Sequence, residues 1–107
     1  MHSPSVAVPP IALVLGLLVR TSIATIQIGA TPGVDGNLAW ISGDSACTAV
    51  RFAGCDHTFT LNNGHSYTWK GCGGDTFLLN GDGSFNSACH FNPNNNEQCG
   101  IRRSFSC

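Results

Sequence analysis

Two stretches of the chain read alike: TFTLNNGHSY over Thr58 to Tyr67, and TFLLNGDGSF over Thr76 to Phe85, eighteen residues further on. Thr, Phe, Leu, Asn and Ser recur in register, and Tyr67 is answered by Phe85. Each copy breaks at an Asn-Gly dipeptide and resumes at a Ser followed by an aromatic ring. Glycine, and asparagine more reluctantly, accept the positive φ of a tight turn, so each copy is predicted to be a β-hairpin. Alternate strand residues point the same way, which puts Phe59 and Leu61 on one face of the first incoming arm, and Tyr67 and Trp69 on one face of the outgoing arm. In the second copy Phe77 and Leu79 are matched by Phe85. The connection Lys70 to Asp75 holds three glycines around Cys72, and this flexibility is expected to let one hairpin fold against the other.

The remaining segments support the same class. Asn37 to Ser42 alternates and reads as a strand with Trp40 on its packed face. Gly43-Asp44-Ser45 supplies a turn, and Cys47 to Ala53 returns as a strand ended by Gly54. The outgoing arm of the second hairpin runs on through Cys89 to Phe91. Asn92 to Gln98, NPNNNEQ, is polar throughout and reads as a surface loop between Cys89 and Cys99. Ile101 to Cys107 alternates again, placing Ile101, Arg103 and Phe105 on one face. No window has a period of 3.6. The predicted fold is all-β, a small disulfide-stapled antiparallel sandwich or Greek-key barrel built around the two repeated hairpins.

Domain bounds follow from the N-terminal composition. Val6 to Val19 is almost wholly apolar, is interrupted by Pro9 and Pro10, and falls short of the about 20 residues a membrane span needs. Ser22-Ile23-Ala24 presents small residues where a signal peptidase cuts, so residues 1–24 read as a secretory leader cleaved after Ala24, with a second candidate after Ala30. Residues 25–36 read as a flexible leader or, over Thr25 to Ile28, an edge strand. Residues 37–107 form the cysteine-stapled β domain.

Cys47, Cys55, Cys72, Cys89, Cys99 and Cys107 all follow the leader. An even set in a short secreted chain reads as three disulfides, whose pairing has fifteen possibilities from sequence alone. No C-x-x-C or H-x-x-x-H pair offers zinc a site. Past Ala24, Asp35, Asp44, Asp56, Asp75, Asp82 and Glu97 outnumber Arg51, Lys70, Arg102 and Arg103. Nucleic acids and anionic membranes are held chiefly by clustered Lys and Arg, so neither is an expected partner.

Catalytic groups are sparse. His65 and Asp82 fall at turn tips and Glu97 in the polar loop, while Asp56 and His57 are strand neighbours that point to opposite faces. Asp75 and His90 complete the set, and no nucleophile elbow or phosphate loop accompanies them. A non-enzyme without cofactor is therefore expected. The oxygen-bearing residues from Asn62 to Ser66 and from Asn80 to Ser84 would suit calcium, but the turns themselves demand Asn and Gly there, and only Asp82 carries charge. Trp40, Tyr67 and Trp69 could stack on a sugar ring, although Trp40 belongs with the core. The binding candidates are Tyr67, Trp69 and Lys70, together with Asn94, Asn95 and Glu97 of the polar loop.

The leader, the short mature chain, the even cysteine set and the missing enzymatic motifs resemble the small secreted cysteine-rich proteins of filamentous fungi, many of which are effectors on plant hosts. That resemblance implies an extracellular virulence protein, monomeric, acting on a host protein or cell-surface component. Trp40-Ile41-Ser42-Gly43 before the first cysteine, the six cysteines, and Ser104-Phe105-Ser106-Cys107 at the end also resemble the macadamia-type antimicrobial peptides, which adopt a βγ-crystallin-like Greek-key barrel. The chain departs from that family in its separated Cys55 and Cys72 and in its acidic balance. By order, the family's pairing implies Cys47 with Cys99, Cys55 with Cys107, and Cys72 with Cys89. The alternative functions are an antimicrobial or killer-type toxin and a module binding a cell-wall glycan such as chitin.

Overall fold

The structure, a computed structural model, describes residues 25–107. The expected leader, 1–24, lies outside the described residues. The chain forms β1 (Ile26–Ala30), β2 (Asn37–Ile41), β3 (Val50–Phe52), β4 (Thr58–Thr60), β5 (Ser66–Lys70), β6 (Phe77–Asn80), β7 (Phe85–Ala88), β8 (His90–Asn94) and β9 (Arg102–Ser106). Two 3-10 turns, Ala46–Thr48 and Gln98–Gly100, interrupt the series. The strands make a five-stranded sheet in the order β3-β2-β1-β9-β8 and a four-stranded sheet in the order β4-β5-β6-β7, antiparallel throughout. The fold is all-β, as the punctuation of the sequence predicts.

Alternation builds the core. Ile26, Ile28, Ala39 and Phe52 of the larger sheet meet Phe59, Leu61, Tyr67, Trp69 and Leu78 of the smaller one. Ile26, Ile28 and Leu78 are fully buried, each worth about 1.5–3 kcal/mol relative to exposure. Leu38, Trp40, Ala46 and Ile101 make a second cluster with Ala49 packed against it, and Cys47–Cys99 ties together the two 3-10 turns that contribute to it. Strand β2 therefore buries both faces, with Ala39 in one cluster and Trp40 in the other.

The first segment of the domain differs from expectation. The strand expected at the edge over Thr25 to Ile28 is central: β1 is paired with β2 on one side and β9 on the other. Its Gln27 is buried and accepts a hydrogen bond from the Ser106 hydroxyl, so the two ends of the domain close on each other. A Cβ at Gly29 would fall onto the Arg102 carbonyl, so glycine is what lets β9 approach. Cys47 and Thr48 lie in a 3-10 turn instead of a strand, because Ser45 caps it by accepting the Cys47 N–H. Ile101 and Phe105 fall in different clusters, since the register against β1 shifts between Ile28 and Gly29 and leaves Ser104 as an extra residue.

The repeat becomes the whole smaller sheet, with its hairpins side by side: β5 pairs with β6 across the glycine-rich connection, so one hairpin does not fold over the other. Its structural period is nineteen, not eighteen. Gly64 and Gly83 hold the turns' positive φ, at 83° and 89°. The side chains of Asn63 and Asp82 accept the N–H groups of His65 and Ser84, each at 2.9 Å. Gly81 stays out of the positive-φ region, so the second Asn-Gly is not the turn's pivot. A slip of one residue inverts a strand, so Phe59 corresponds to Leu78, both buried, and Phe77 faces outward.

The bridges are Cys47–Cys99, Cys55–Cys72 and Cys89–Cys107. The family-implied pairing is right for the first and wrong for the others. Cys55 and Cys72 flank the hairpin β4-β5 and are brought within 6.0 Å, Cα to Cα. Cys89, at the crossing between sheets, lies beside the end of β9, where Cys107 donates its N–H to the Ile26 carbonyl.

Candidate functional site

Burying Phe59, Tyr67, Trp69 and Leu78 turns the alternate residues of the smaller sheet outward: Thr58 and Thr60, then Ser66, Thr68 and Lys70, then Phe77 and Leu79. Thr58 faces Thr68 and Thr60 faces Ser66 across the β4-β5 ladder, with hydroxyl oxygens 3.0 Å and 2.7 Å apart. The row through Thr68 continues to Leu79 and Phe85, and that through Lys70 continues to Phe77. The Phe77 and Phe85 rings lie 6.1 Å apart at 31°, and Phe85 is 63% exposed. The face thus carries hydroxyls on β4 and β5 and apolar side chains, two of them aromatic, on β6 and β7.

Its charge is internally paired. Lys70 Nζ lies 2.8 Å from Asp56 Oδ1. Asp56 is held there by a left-handed backbone, φ 69°, and by its N–H donating to the Trp69 carbonyl at 2.6 Å. The Lys70 hydrogen bond, then its charge, keep the Asp56 carboxyl below the usual carboxylate range.

Beside the aromatic pair lies the β6-β7 turn. Asn80 donates to the Ser84 hydroxyl at 3.0 Å and accepts from Asn86 at 2.8 Å, and Ser84 donates to Asp82 Oδ1 at 2.6 Å. These Ser84 bonds hold the Asp82 carboxyl low. Asn86 is the extra residue of a bulge, since Leu79 pairs with Phe85 while Leu78 pairs with Ser87.

The sequence-derived binding residues divide. Trp69 and Tyr67 are core residues, each 6% exposed, so neither offers a ring to a sugar: Trp69 meets Phe52 and Phe105, and Tyr67 meets Phe59. Lys70 is on the outer face. Asn94 and Glu97 are joined by a hydrogen bond of 3.0 Å, and Arg103 reaches the same Glu97 oxygen at 3.1 Å, which closes the β8-β9 turn. Asn94 belongs to strand β8, so the predicted loop begins as strand; Asn94 and Glu97 are half-buried, and Asn95 is exposed with the rest of the segment. Sequence reasoning missed Phe77 and Phe85 as surface rings because the eighteen-residue match set them beside Phe59 and Tyr67. The signal that could have found them is the second glycine of Asn80-Gly81-Asp82-Gly83. Phe91, 72% exposed at the edge of the larger sheet against Phe105, is likewise a surface ring that the sequence marks only as strand.

Away from this face, Asp35, Gly36, Arg51, Phe52 and Ala53 line an open cleft of about 480 Å³, where Arg51 donates to the Asp35 carbonyl at 2.9 Å. Among the described residues, no three His, Cys, Asp or Glu side chains converge as a metal site would require, and no helix is long and apolar enough to cross a membrane. The arrangement on the outer face is suited to stacking and hydrogen bonding. Comparisons with protein-family models, curated proteins and solved structures found no match.

Proposed function

We propose that this protein is a secreted, non-enzymatic binding protein that acts outside the cell that makes it, as a fungal effector does on a plant host. The observation that carries the reading is the pairing of all six cysteines in so small a domain, an arrangement typical of proteins matured in an oxidising compartment. The treatment of charged side chains supports it further: Asp56, Asp82 and Glu97 are each engaged by a neighbouring cation or hydroxyl. The protein works as a monomer that presents the outer face of the smaller sheet to a host surface.

The test is secretion followed by binding. Expressed with its leader in a filamentous fungus, the protein should reach the medium with residues 1–24 removed and no titratable thiol, and should bind saturably to plant tissue. Retention inside the cell in reduced form overturns the proposal. Inhibition of competing microbes by the purified oxidised protein, without binding to plant tissue, replaces it with the toxin reading.

A further inference from the structure

We propose that the outer face of the four-stranded sheet is a platform for an extended neutral polysaccharide, a β-1,4-linked chain of the glucose or N-acetylglucosamine type. This rests on the binding-protein reading and names its partner.

Three properties of the face select that ligand. Phe77 and Phe85 supply adjoining rings, one of them mostly exposed, and an aromatic face attracts the C–H surface of a pyranose whose hydroxyls are equatorial. Thr58, Thr60, Ser66 and Thr68 lie on the same face as two cross-strand hydroxyl pairs; one proton of each pair is used between its members, which leaves each pair one free O–H donor and unused lone pairs, so each pair can both donate and accept, as the rim of a sugar does. Among the described residues Lys70 is the one cation of the face, and it is committed to Asp56 at 2.8 Å, so no free cation is offered there to an acidic polymer or a phosphate. The cross-strand ladders set these groups in adjoining rows across β4 to β7, which a linear chain can follow.

Size and edges argue against a second copy of this chain. A stable protein interface buries about 800 Å² per partner, whereas Phe85 as a whole side chain contributes at most about 250 Å² and its apolar neighbours Phe77 and Leu79 are already half-buried. Both strands on that side are blunted, β7 by the bulge at Asn86 and β8 by Pro93 and a shifted register. Bulges and proline are the devices that prevent edge-to-edge pairing.

The test uses the oxidised, purified protein on crystalline chitin and cellulose, with titration of soluble hexasaccharides of each type followed by amide chemical shifts. Retention on one polymer is expected, with shifts confined to residues of β4 to β7. Phe85→Ala should weaken binding roughly tenfold or more, Phe85→Tyr should preserve it, and Phe91→Ala should leave it unchanged. Unfolding curves accompany each variant, because Phe85 is exposed and its loss should not unfold the domain. No retention on either polymer, or equal retention by all variants, overturns the proposal. So does a dimer in sedimentation that Phe85→Ala dissolves, which would assign the face to a second copy. A protein that is still secreted, oxidised and bound to plant tissue after the polysaccharide arm fails leaves the binding-protein reading standing without this one.

Discussion

The Trp69 indole meets the Phe105 ring edge-on, 5.6 Å between centroids and 63° between planes, and so joins β5 of the smaller sheet to β9 of the larger. Phe52 takes another side of the same indole at 6.1 Å, and Phe91 extends the run from Phe105 toward solvent. Trp69 thus couples the sheets instead of facing a ligand. Trp69→Ala should lower stability by about 3–5 kcal/mol, the range for truncating a buried large aromatic. Phe85→Ala, on the open face, should stay within about 0.5 kcal/mol. Urea unfolding of both variants checks the contrast, and equal losses would contradict the assignment of Trp69 to the core and Phe85 to the surface.

The bridges rank by the chain they close. Cys47–Cys99 spans 52 residues, against 17 for Cys55–Cys72 and 18 for Cys89–Cys107. Chain entropy makes the long bridge worth about 4 kcal/mol and each short one about 3 kcal/mol. Double Cys→Ala variants should follow that order in unfolding midpoint, the Cys47/Cys99 variant losing the most. It also loosens the two 3-10 turns that contribute Ala46 and neighbour Ile101 in the second cluster. Peptide mapping of the non-reduced protein should recover these three pairs. Recovery of Cys55 joined to Cys107 would refute the topology at the crossing between sheets.

Much of the first hairpin was legible because alternation there is clean and Gly64 is the single glycine near its turn. The second was not, because Gly81 and Gly83 both offer a pivot. Which of the two is used depends on Asp82, whose carboxylate accepts the Ser84 N–H and hydroxyl, a local competition that no hydrophobic pattern records. That single-residue choice sends Phe77 and Phe85 outward and Leu78 inward. The disulfide partners escaped for a different reason: cysteine pairing reports which strands adjoin, and adjacency between distant segments is decided by the sheet order. Tyr67 and Trp69 do share a face, as their alternation implies, but alternation alone cannot say which face is wet.

The Asp56–Lys70 pair should leave a signature in acid. The carboxyl is held below its unfolded value, so the pair's contribution is complete above the ordinary aspartate range, near pH 3.9, and is lost as pH falls through the lower folded value. Asp56→Asn removes the ionisable partner. The variant should be slightly less stable than the parent at about pH 6, and the difference should vanish toward about pH 2. Asp56 is largely exposed and Lys70 more than a third exposed, so the effect is small and salt should weaken it further. Paired urea titrations across that range test this, and an unchanging difference between the two proteins would show that the pair is not the cause.

The position of β1 makes the N-terminal boundary of the folded domain testable. A chain beginning at Thr25 keeps Ile26 and Ile28, which are 1% and 0% exposed, together with ladders to β2 and β9. A chain beginning at Thr31, as cleavage after Ala30 would leave it, loses the strand between those two ladders. The larger sheet would then split into the pairs β3-β2 and β8-β9, each with a newly unpaired edge and two large aliphatic side chains missing from the core. The loss of Ile26 and Ile28 alone is worth about 3–6 kcal/mol in burial, comparable to the whole stability of a domain this size. The Thr25 form should therefore show dispersed amide resonances and a cooperative melt, and the Thr31 form should show neither. A Gly29→Ala variant of the longer form provides the finer control, since its added Cβ meets the Arg102 carbonyl without removing any contact. It should weaken the β1-β9 pairing and lower the melting temperature while the domain still folds. A cooperative melt from the Thr31 form would place β1 outside the stable core and undo the central-strand topology.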